Sequence, residues 1–312
     1  MSEVGTVGHE DQARVVVITG ASSGIGRATA ELLMAGGDQV VLAGRSLPAL
    51  EALGLPPAQA LLVAVDVSVD LEVQALAKAA VERFGKIDAW VNNAGVLQVG
   101  PFEAVPEDAF RRVIEVNFFG CVNGSRAALA HFRRQGHGVL VNVASVLGAI
   151  PGPRLSAYAA SKHAIRAFSA SLRQELADDD AGISVCTVLP ATIDTPLYAA
   201  SSSYGDVSAA PIPPVYGVTI VAKAIAGLLD RPRPEVVVGR SALPVVLAHG
   251  LLTQPVERLF GRWVSAVQRR GRSWPSGPGN LFRPSGESGH SGGWSHGVAS
   301  LLRLLARRRR VL

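Results

Sequence analysis

The sequence has little of what a secreted, metal-bound or membrane-spanning protein requires. It contains two cysteines, Cys121 and Cys186, in apolar surroundings, and no cluster of cysteine and histidine at metal-binding spacing. We therefore expect two buried thiols in a reducing compartment and no metal site. The polar residues 1–13 lack the apolar core of a signal peptide, and no run reaches the ~18 apolar residues of a membrane span. A disordered lead and a cytoplasmic location are expected.

Negative charge is also scarce near the C-terminus. Residues 251–312 contain 11 arginines and two acidic residues, whereas the rest of the chain carries 19 basic and 23 acidic residues. The net charge of +5 therefore arises from this last stretch. Because residues 1–250 are slightly acidic, no nucleic-acid partner is expected.

Apolar, β-branched segments alternate with helical patterns along most of the chain. Strands are expected at residues 15–19, 39–43, 60–65, 87–91, 138–143, 183–189 and 235–238. Helical patterns lie between them, the longest running from about Glu107 into the 130s and over 156–177. This alternation predicts an α/β fold: a doubly wound parallel sheet of Rossmann type with seven strands and helices on both faces.

A glycine-rich turn follows the first strand. The stretch Val15 to Gly26 reads VVVITGASSGIG, with Gly20, Gly24 and Gly26 between a strand and a helix. Such a turn lets a phosphate approach the N–H groups of a helix N-terminus. The spacing differs from the common Gly-x-Gly-x-x-Gly fingerprint, and an ordinary strand-to-helix turn is the alternative.

Four further polar motifs follow later strands. Tyr158 and Lys162 are four residues apart and share one helix face, and Ser145 lies just past the fifth strand. The sequence Asn-Asn-Ala-Gly at 92–95 follows the fourth strand, and Asn117 lies in the next helix. Together with the glycine turn, these motifs resemble the short-chain dehydrogenase/reductase family in its compact form, over residues 14–240. Taken singly, each side chain has an ordinary alternative role. Ser145 could be a helix cap and Tyr158 a packed aromatic, while Lys162 could be a solvated charge and Asn117 a helix-surface amide.

The resemblance implies a role for each of the four catalytic candidates. Tyr158 is expected to be the general acid of carbonyl reduction, or the base of the reverse reaction. Lys162 is expected to lower the pKa of that tyrosine and to bind the nicotinamide ribose. Ser145 is expected to stabilise charge on the substrate oxygen, and Asn117 to hold a water that links Lys162 to solvent.

The resemblance also implies an NADP(H) site at the strand ends, with NAD(H) the less favoured cofactor. Arg45 follows the second strand, where an acidic residue would select NAD; a guanidinium suits a 2′-phosphate instead, although a merely exposed arginine is the alternative. The other expected contacts are Gly20, Gly24, Gly26 and the Ile25 backbone at the pyrophosphate, Ser22 and Ser23 as hydroxyl donors, Asp66 and Val67 at the adenine, Asn92 near the adenosine ribose, Ala94 and Gly95 against the cofactor, and Pro190, Ile193 and Thr195 after the sixth strand. Ala191 stands where the family usually has glycine.

Two functions remain open. The first is an NADP(H)-dependent oxidoreductase acting on a hydrophobic ketone, aldehyde or alcohol, because the segments expected to form the substrate pocket, 96–102, 146–155 and 192–216, are mostly apolar. Their apolar residues include Leu97, Val99, Leu147, Ile150, Pro151, Leu155, Leu197 and Tyr198. The second is a nucleotide-binding regulatory protein with little turnover; an extended epimerase-type relative is a weaker third. The catalytic set favours the enzyme. The resemblance also implies a homodimer or homotetramer formed through the two long helices.

The C-terminal part lies outside the resemblance. We expect an amphipathic helical extension over residues 241–270, then a flexible linker and basic tail over 271–312. Leucines at 301–305 precede Arg307 to Arg310, a pattern that suits weak docking on an anionic membrane surface. A solvated tail, or a helix packed on a partner subunit, is the alternative.

Overall fold

The computed structural model describes residues 13–177, 182–205, 207, 209–270, 276–285 and 289–294. The strands are β1 Val15–Thr19, β2 Gln39–Gly44, β3 Ala60–Ala64, β4 Ala89–Asn92, β5 Gln98–Val99, β6 Gly138–Val143, β7 Ile183–Pro190, β8 Ser202–Ser203 and β9 Glu235–Val238. The helices are α1 Gly24–Ala35, α2 Leu47–Glu51, α3 Asp70–Phe84, α4 Glu107–Ile114, α5 Gly120–Gln135, α6 Ser156–Ala177, α7 Thr219–Asp230, α8 Ala242–Leu251 and α9 Thr253–Arg270.

Seven of the strands form one parallel sheet in the order β3-β2-β1-β4-β6-β7-β9. Every pair in this sheet is parallel, so the predicted fold is confirmed. Between β1 and β4 the strand order reverses, which opens a crevice beyond the carboxyl ends of the strands. The short strands β5 and β8 pair separately near that end.

The two faces of the sheet bury separate apolar cores. One core joins the sheet to α3, α5 and α6, with Trp90 and Phe132 among its fully buried side chains. The other joins it to α1 and α7. All five residues of β1 are buried, as expected for a central strand covered on both faces.

The long helix predicted from Glu107 is not uniform. A π-helical turn, Glu115–Phe119, separates α4 from α5. This turn contains Asn117, and such turns are frequent at functional sites because they redirect one side chain without ending the helix.

The helices predicted after residue 241 are present as α8 and α9. Residues 276–285 and 289–294 differ from the flexible linker and tail predicted over 271–312, because they lie against the carboxyl end of the sheet. Leu281 is fully buried there. The expected disordered lead and the leucine–arginine tail fall on residues 1–12 and 295–312, outside the described residues.

Among the described helices, none combines the length and the apolar character needed to cross a membrane.

Candidate active site

The predicted site residues meet in one cleft at the carboxyl end of the sheet. Its cavity volume is about 420 Å³, and its walls run from Arg45 and Asp66 past the glycine turn to Ser145 and Tyr158. One cleft therefore joins the glycine turn to the catalytic candidates.

Three of the four catalytic candidates are side by side. Ser145 lies two residues past β6, and its hydroxyl is hydrogen-bonded to the phenol of Tyr158 on α6. Lys162 follows one helical turn later. Its Nζ donates to the carbonyl of Val143 at 2.9 Å and lies 5.7 Å from the centre of the Tyr158 ring. All three residues are buried.

Burial controls the ionisation of this group. Desolvation raises the pKa of Tyr158 to about 12, although the Ser145 hydrogen bond opposes that rise. Desolvation also lowers the pKa of Lys162 to about 8. We expected the opposite shift of the Tyr158 pKa, caused by the Lys162 charge. That prediction is wrong in this geometry, because the loss of solvent dominates and the Lys162 ammonium binds the Val143 carbonyl instead.

Asn117 is fixed by the backbone that follows β4. Its Oδ1 accepts from the N–H of Val96 at 2.8 Å, and its Nδ2 donates to the Val96 carbonyl and to Ser161, each at 3.0 Å. A side chain atom at Gly95 would lie 3.3 Å from Asn117 Oδ1 and 3.7 Å from Lys162 Nζ, which places both groups beside that glycine. The expected water link from Asn117 to Lys162 stays a prediction.

The glycine turn is shaped for a close approach. Gly20 and Gly24 have positive φ, and a Cβ at Gly20 would come within 2.7 Å of the Cα of Ala94. At Gly24, a Cβ would lie 3.1 Å from the Thr195 side chain. The turn therefore requires glycine for its conformation and for its space.

Asp66 and Arg112 form an ion pair at the end of the cleft near Arg45. Ser68 donates to the same carboxylate through its N–H and its hydroxyl. Burial raises the pKa of Asp66, but the hydrogen bonds from Ser68 and Arg112 outweigh it and leave the pKa below its ordinary value. Asp66 is thus an ionised acceptor on the cleft wall.

Arg45 lies beside this pair and contacts the C-terminal part of the chain. Its Nη1 donates to the carbonyl of Leu281 at 2.8 Å, and its Nη2 to that of Asn280 at 2.6 Å. Arg112 donates to the Leu281 carbonyl as well. The guanidinium is therefore held in place at the position where a 2′-phosphate was predicted.

Asn92 does not line the cleft, in contrast to the prediction that placed it near the adenosine ribose. Its Oδ1 accepts from Trp90 at 2.8 Å, and its Nδ2 donates to Cys121, Ser125 and Asn142. Strand β4 directs this side chain into the core, since successive side chains of a strand point to opposite faces. The next residue, Asn93, lines the cleft instead.

The remaining predicted cofactor contacts divide into two groups. Gly26 is a packing position, since a Cβ there would lie 2.4 Å from the carbonyl oxygen of Gly20. The residues that line the cleft are Ser22, Ser23, Ile25, Val67, Ala94, Gly95, Pro190, Ile193 and Thr195.

The substrate end of the cleft is apolar but differs in part from the predicted wall. Ile150 is fully buried in a separate core, and Pro151 lies outside the cleft. Helices α8 and α9 supply Val245, Phe260 and Trp263. Burial raises the pKa of the Tyr198 phenol, which keeps it neutral beside Tyr158.

Sequence reasoning missed the contribution of residues 276–285 and 289–294. Asn280, Pro284 and Ser285 line the cleft, and Asp194 accepts from the N–H groups of Gly292 and Trp294. The one available signal in the sequence was Asp194, an acidic residue between the predicted cofactor contacts Ile193 and Thr195. The segment itself is rich in glycine, serine and proline and has no periodicity that would indicate docking.

The residues present fit a dinucleotide. The cleft is continuous, its glycine cradle leaves room for phosphates, and the buried Oδ1 of Asn280 has no hydrogen-bond partner within the described residues. The described residues contain no group of three histidine, cysteine or acidic side chains able to hold a metal ion.

Comparison with known proteins gives concordant results. The family model described as short chain dehydrogenase matches residues 14–204. The uncharacterized oxidoreductase YxnA of Bacillus subtilis is 34% identical over 271 residues, which cover 85% of this chain and 76% of that protein.

Two similar solved structures carry different cofactors. A short-chain dehydrogenase/reductase from Burkholderia phymatum in complex with NAD matches with a TM-score of 0.70 and 28% identity, over 78% of this chain and 95% of that one. A short-chain dehydrogenase from Burkholderia cenocepacia in complex with NADP matches with a TM-score of 0.68 and 27% identity, over 80% and 97%.

Proposed function

Since this chain belongs to the short-chain dehydrogenase/reductase family, we propose that it interconverts a hydrophobic ketone or aldehyde and its alcohol with NADP(H). The observation that carries this proposal is the group of Ser145, Tyr158 and Lys162 in the same cleft as the glycine turn. A nicotinamide bound there would supply or accept the hydride.

The side chains provide the proton and the binding of the oxygen. With its pKa raised to about 12, Tyr158 keeps its proton at neutral pH and donates it to the substrate oxygen during reduction. Ser145, already hydrogen-bonded to that phenol, binds the same oxygen and stabilises its developing charge. Lys162 donates hydrogen bonds to the nicotinamide ribose from a position fixed by the Val143 carbonyl.

The preference for NADP(H) rests on Arg45. A guanidinium has five N–H donors, and the two bonds to the carbonyls of Asn280 and Leu281 leave others for a phosphate. The neighbouring Arg112 adds a second positive charge. Asp66 is ionised beside them and favours the ribose 2′-hydroxyl of NAD(H) as a donor. The affinities for NADP(H) and NAD(H) must therefore be compared directly.

The substrate class follows from the walls of the cleft beyond Tyr158. They are built from Leu97, Val99, Leu147, Leu155, Leu197, Tyr198, Val245, Phe260 and Trp263. Such a surface excludes water and favours an apolar molecule with one carbonyl or hydroxyl group.

A panel of carbonyl compounds tests the proposal. Aliphatic, aromatic, steroid and polyketide-like ketones and aldehydes are supplied with NADPH or NADH, and oxidation of the cofactor is followed by its loss of absorbance. Turnover with apolar members that Tyr158→Phe abolishes supports the enzyme. Dinucleotide binding without turnover on any compound favours the regulatory protein.

We also propose a homodimer or homotetramer formed through α4, α5 and α6. Phe119, in the π-helical turn, is half-exposed and contacts Phe118, which packs on Phe168 of α6. An aromatic cluster of this kind suits burial against a second copy. Light scattering at micromolar concentration tests it: Phe119→Glu should lower the mass, and a monomeric unmodified protein would contradict it.

Weak docking on an anionic membrane is the last part of the proposal. Helices α8 and α9 expose Leu243, Leu247, Leu251 and Leu259, beside the arginines of α9 and close to the substrate end of the cleft. Leucines with nearby arginines suit the headgroup region of a bilayer. Co-sedimentation with anionic vesicles should weaken with salt and in Leu247→Ser; equal binding to neutral vesicles would contradict it.

A further inference from the structure

The last described part of the chain crosses the cofactor end of the cleft. We call residues 276–285 and 289–294 the C-terminal strap. Its first anchor is a pair of backbone hydrogen bonds between Gly277 and Ser203, at 2.8 and 3.0 Å, followed by a bond from the Asn280 N–H to the Ala200 carbonyl. The strap thus begins beside the short strand β8 and the residues that directly precede this strand.

The second anchor lies at the adenosine end. The carbonyls of Asn280 and Leu281 receive hydrogen bonds from Arg45, and Leu281 also receives one from Arg112. The Leu281 side chain is fully buried in the core cluster that contains Val65 and Val67. Hydrogen bonds from two arginines and the apolar contact of Leu281 therefore fix this part of the strap.

The third anchor lies at the glycine turn and the loop after β7. The N–H of Gly24 donates to the carbonyl of Gly289 at 3.0 Å, and His290 pairs with Glu31 at 2.6 Å. Asp194, which is 2% exposed, accepts hydrogen bonds from Ser291, Gly292 and Trp294.

The strap does not fill the cleft that it crosses. The cavity of about 420 Å³ remains beneath it, and Asn280, Pro284 and Ser285 form part of its wall. Asn280 presents there a buried Oδ1 without a partner among the described residues. A buried acceptor left unpaired is destabilising, so such an oxygen at a ligand cleft indicates a donor supplied by the ligand.

We propose that the C-terminal strap closes over the adenosine half of the bound dinucleotide, and that Asn280 Oδ1 accepts a hydrogen bond from an N–H or O–H of that adenosine. The inference rests on the dinucleotide binding of the proposed function but not on turnover. Dinucleotide release then requires the strap to open, and Asn280 is a cofactor-binding residue outside the family-matched residues 14–204.

The first test measures equilibrium binding of two probes by titration calorimetry. ADP-ribose carries the adenosine, and nicotinamide mononucleotide lacks it. Asn280→Ala keeps both strap carbonyls and should raise the Kd for ADP-ribose by about three- to tenfold, with the Kd for nicotinamide mononucleotide unchanged. Phe282→Ser, at the exposed neighbouring side chain, is the matched control and should change neither. An unaltered ADP-ribose Kd in Asn280→Ala would overturn the Asn280 contact.

The second test measures rates. NADPH fluorescence in a stopped-flow instrument gives the association and dissociation rate constants of the full chain. The double variant His290→Ala/Ser291→Ala removes strap anchors outside the cavity wall and should raise the dissociation rate constant about tenfold without slowing association. Tighter binding in this variant would mean that the strap competes with the dinucleotide, and an unchanged dissociation rate would mean that it does not retain it; either result overturns the proposal. If NADPH binds as expected but no carbonyl is reduced, the proposed reaction fails and the strap stands.

Discussion

Two regions of the molecule build opposite sides of the same cleft by different means. One side consists of strand ends and of helices that start directly after them, so Gly20, Ser145 and Tyr158 are placed by a sheet whose core is fully buried. The other side is the C-terminal strap, which is held by hydrogen bonds to Ser203, Arg45, Gly24 and Asp194. Chemistry that needs fixed geometry lies on the first side, and contacts that can open and close lie on the second.

The largest expected effect concerns the rigid side. Tyr158→Phe removes the proton donor and should lower kcat by about 10²–10⁴-fold while leaving dinucleotide affinity nearly unchanged. Tyr198→Phe, at the neighbouring buried phenol, is the control and should cost less than about tenfold. Steady-state kinetics on an accepted carbonyl measures both, and equal losses would show that the proton does not come from Tyr158.

A second comparison uses two fully buried side chains, one from each region. Phe132→Ala opens a cavity in the main core and should lower the free energy of unfolding by about 3–5 kcal/mol. Leu281→Ala should lower it by about 1 kcal/mol or less, because a strap that opens locally limits the loss to its own docking free energy. Urea unfolding measures both. Equal losses would mean that the strap unfolds only together with the sheet.

Arg45 lies where the two regions meet, and its removal separates their effects. Arg45→Ala should lower the preference for NADPH over NADH by about tenfold to a hundredfold, since a charge-assisted hydrogen bond is worth about 1.5–3 kcal/mol. Loss of the strap bonds affects both cofactors alike, so it does not change the ratio. Fluorescence titration with each cofactor gives that ratio, and a constant value would assign Arg45 to the strap alone.

The last comparison concerns the pH profile of the two reaction directions. Tyr158, with its pKa raised to about 12, is protonated throughout the neutral range, so reduction has its acid fully present. Alcohol oxidation requires the phenolate. As long as the pH is below that pKa, the phenolate fraction rises about tenfold for each unit by which the pH increases. The oxidation rate should therefore climb from pH 7 to pH 9. A plateau within that range would support the lowered pKa that the Lys162 charge suggested from sequence.

The sequence predicted the rigid side well because its signals are local. Continuous apolar runs located the strands, and the polar residues that follow them met in one cleft as parallel connections require. Asn92 was misplaced because the direction of a single side chain at a strand end depends on buried partners such as Asn142, fifty residues away. The pKa of Tyr158 was misjudged because charge can be read from a sequence and desolvation cannot.

The strap escaped prediction for a related reason. Its anchors are backbone carbonyls and N–H groups, which every residue possesses, so no side-chain pattern marks them. Glycine, serine and proline favour turns in a docked segment and in an open linker alike, so the composition does not distinguish the two. The Asp66–Arg112 pair was missed because its partners are far apart in sequence and share no motif.

The strap follows the sheet in the chain and is therefore synthesised after it. The sheet ends with β9 at Val238, and Asn280 follows about forty residues later. At about 5–20 residues per second, the ribosome adds that stretch in roughly 2–8 seconds. During this interval all strands of the sheet have been synthesised, α8 and α9 are being added to the cleft wall, and the strap is still missing. Under the proposed closure, this order of synthesis lets a cellular dinucleotide reach the cleft before its cover is made.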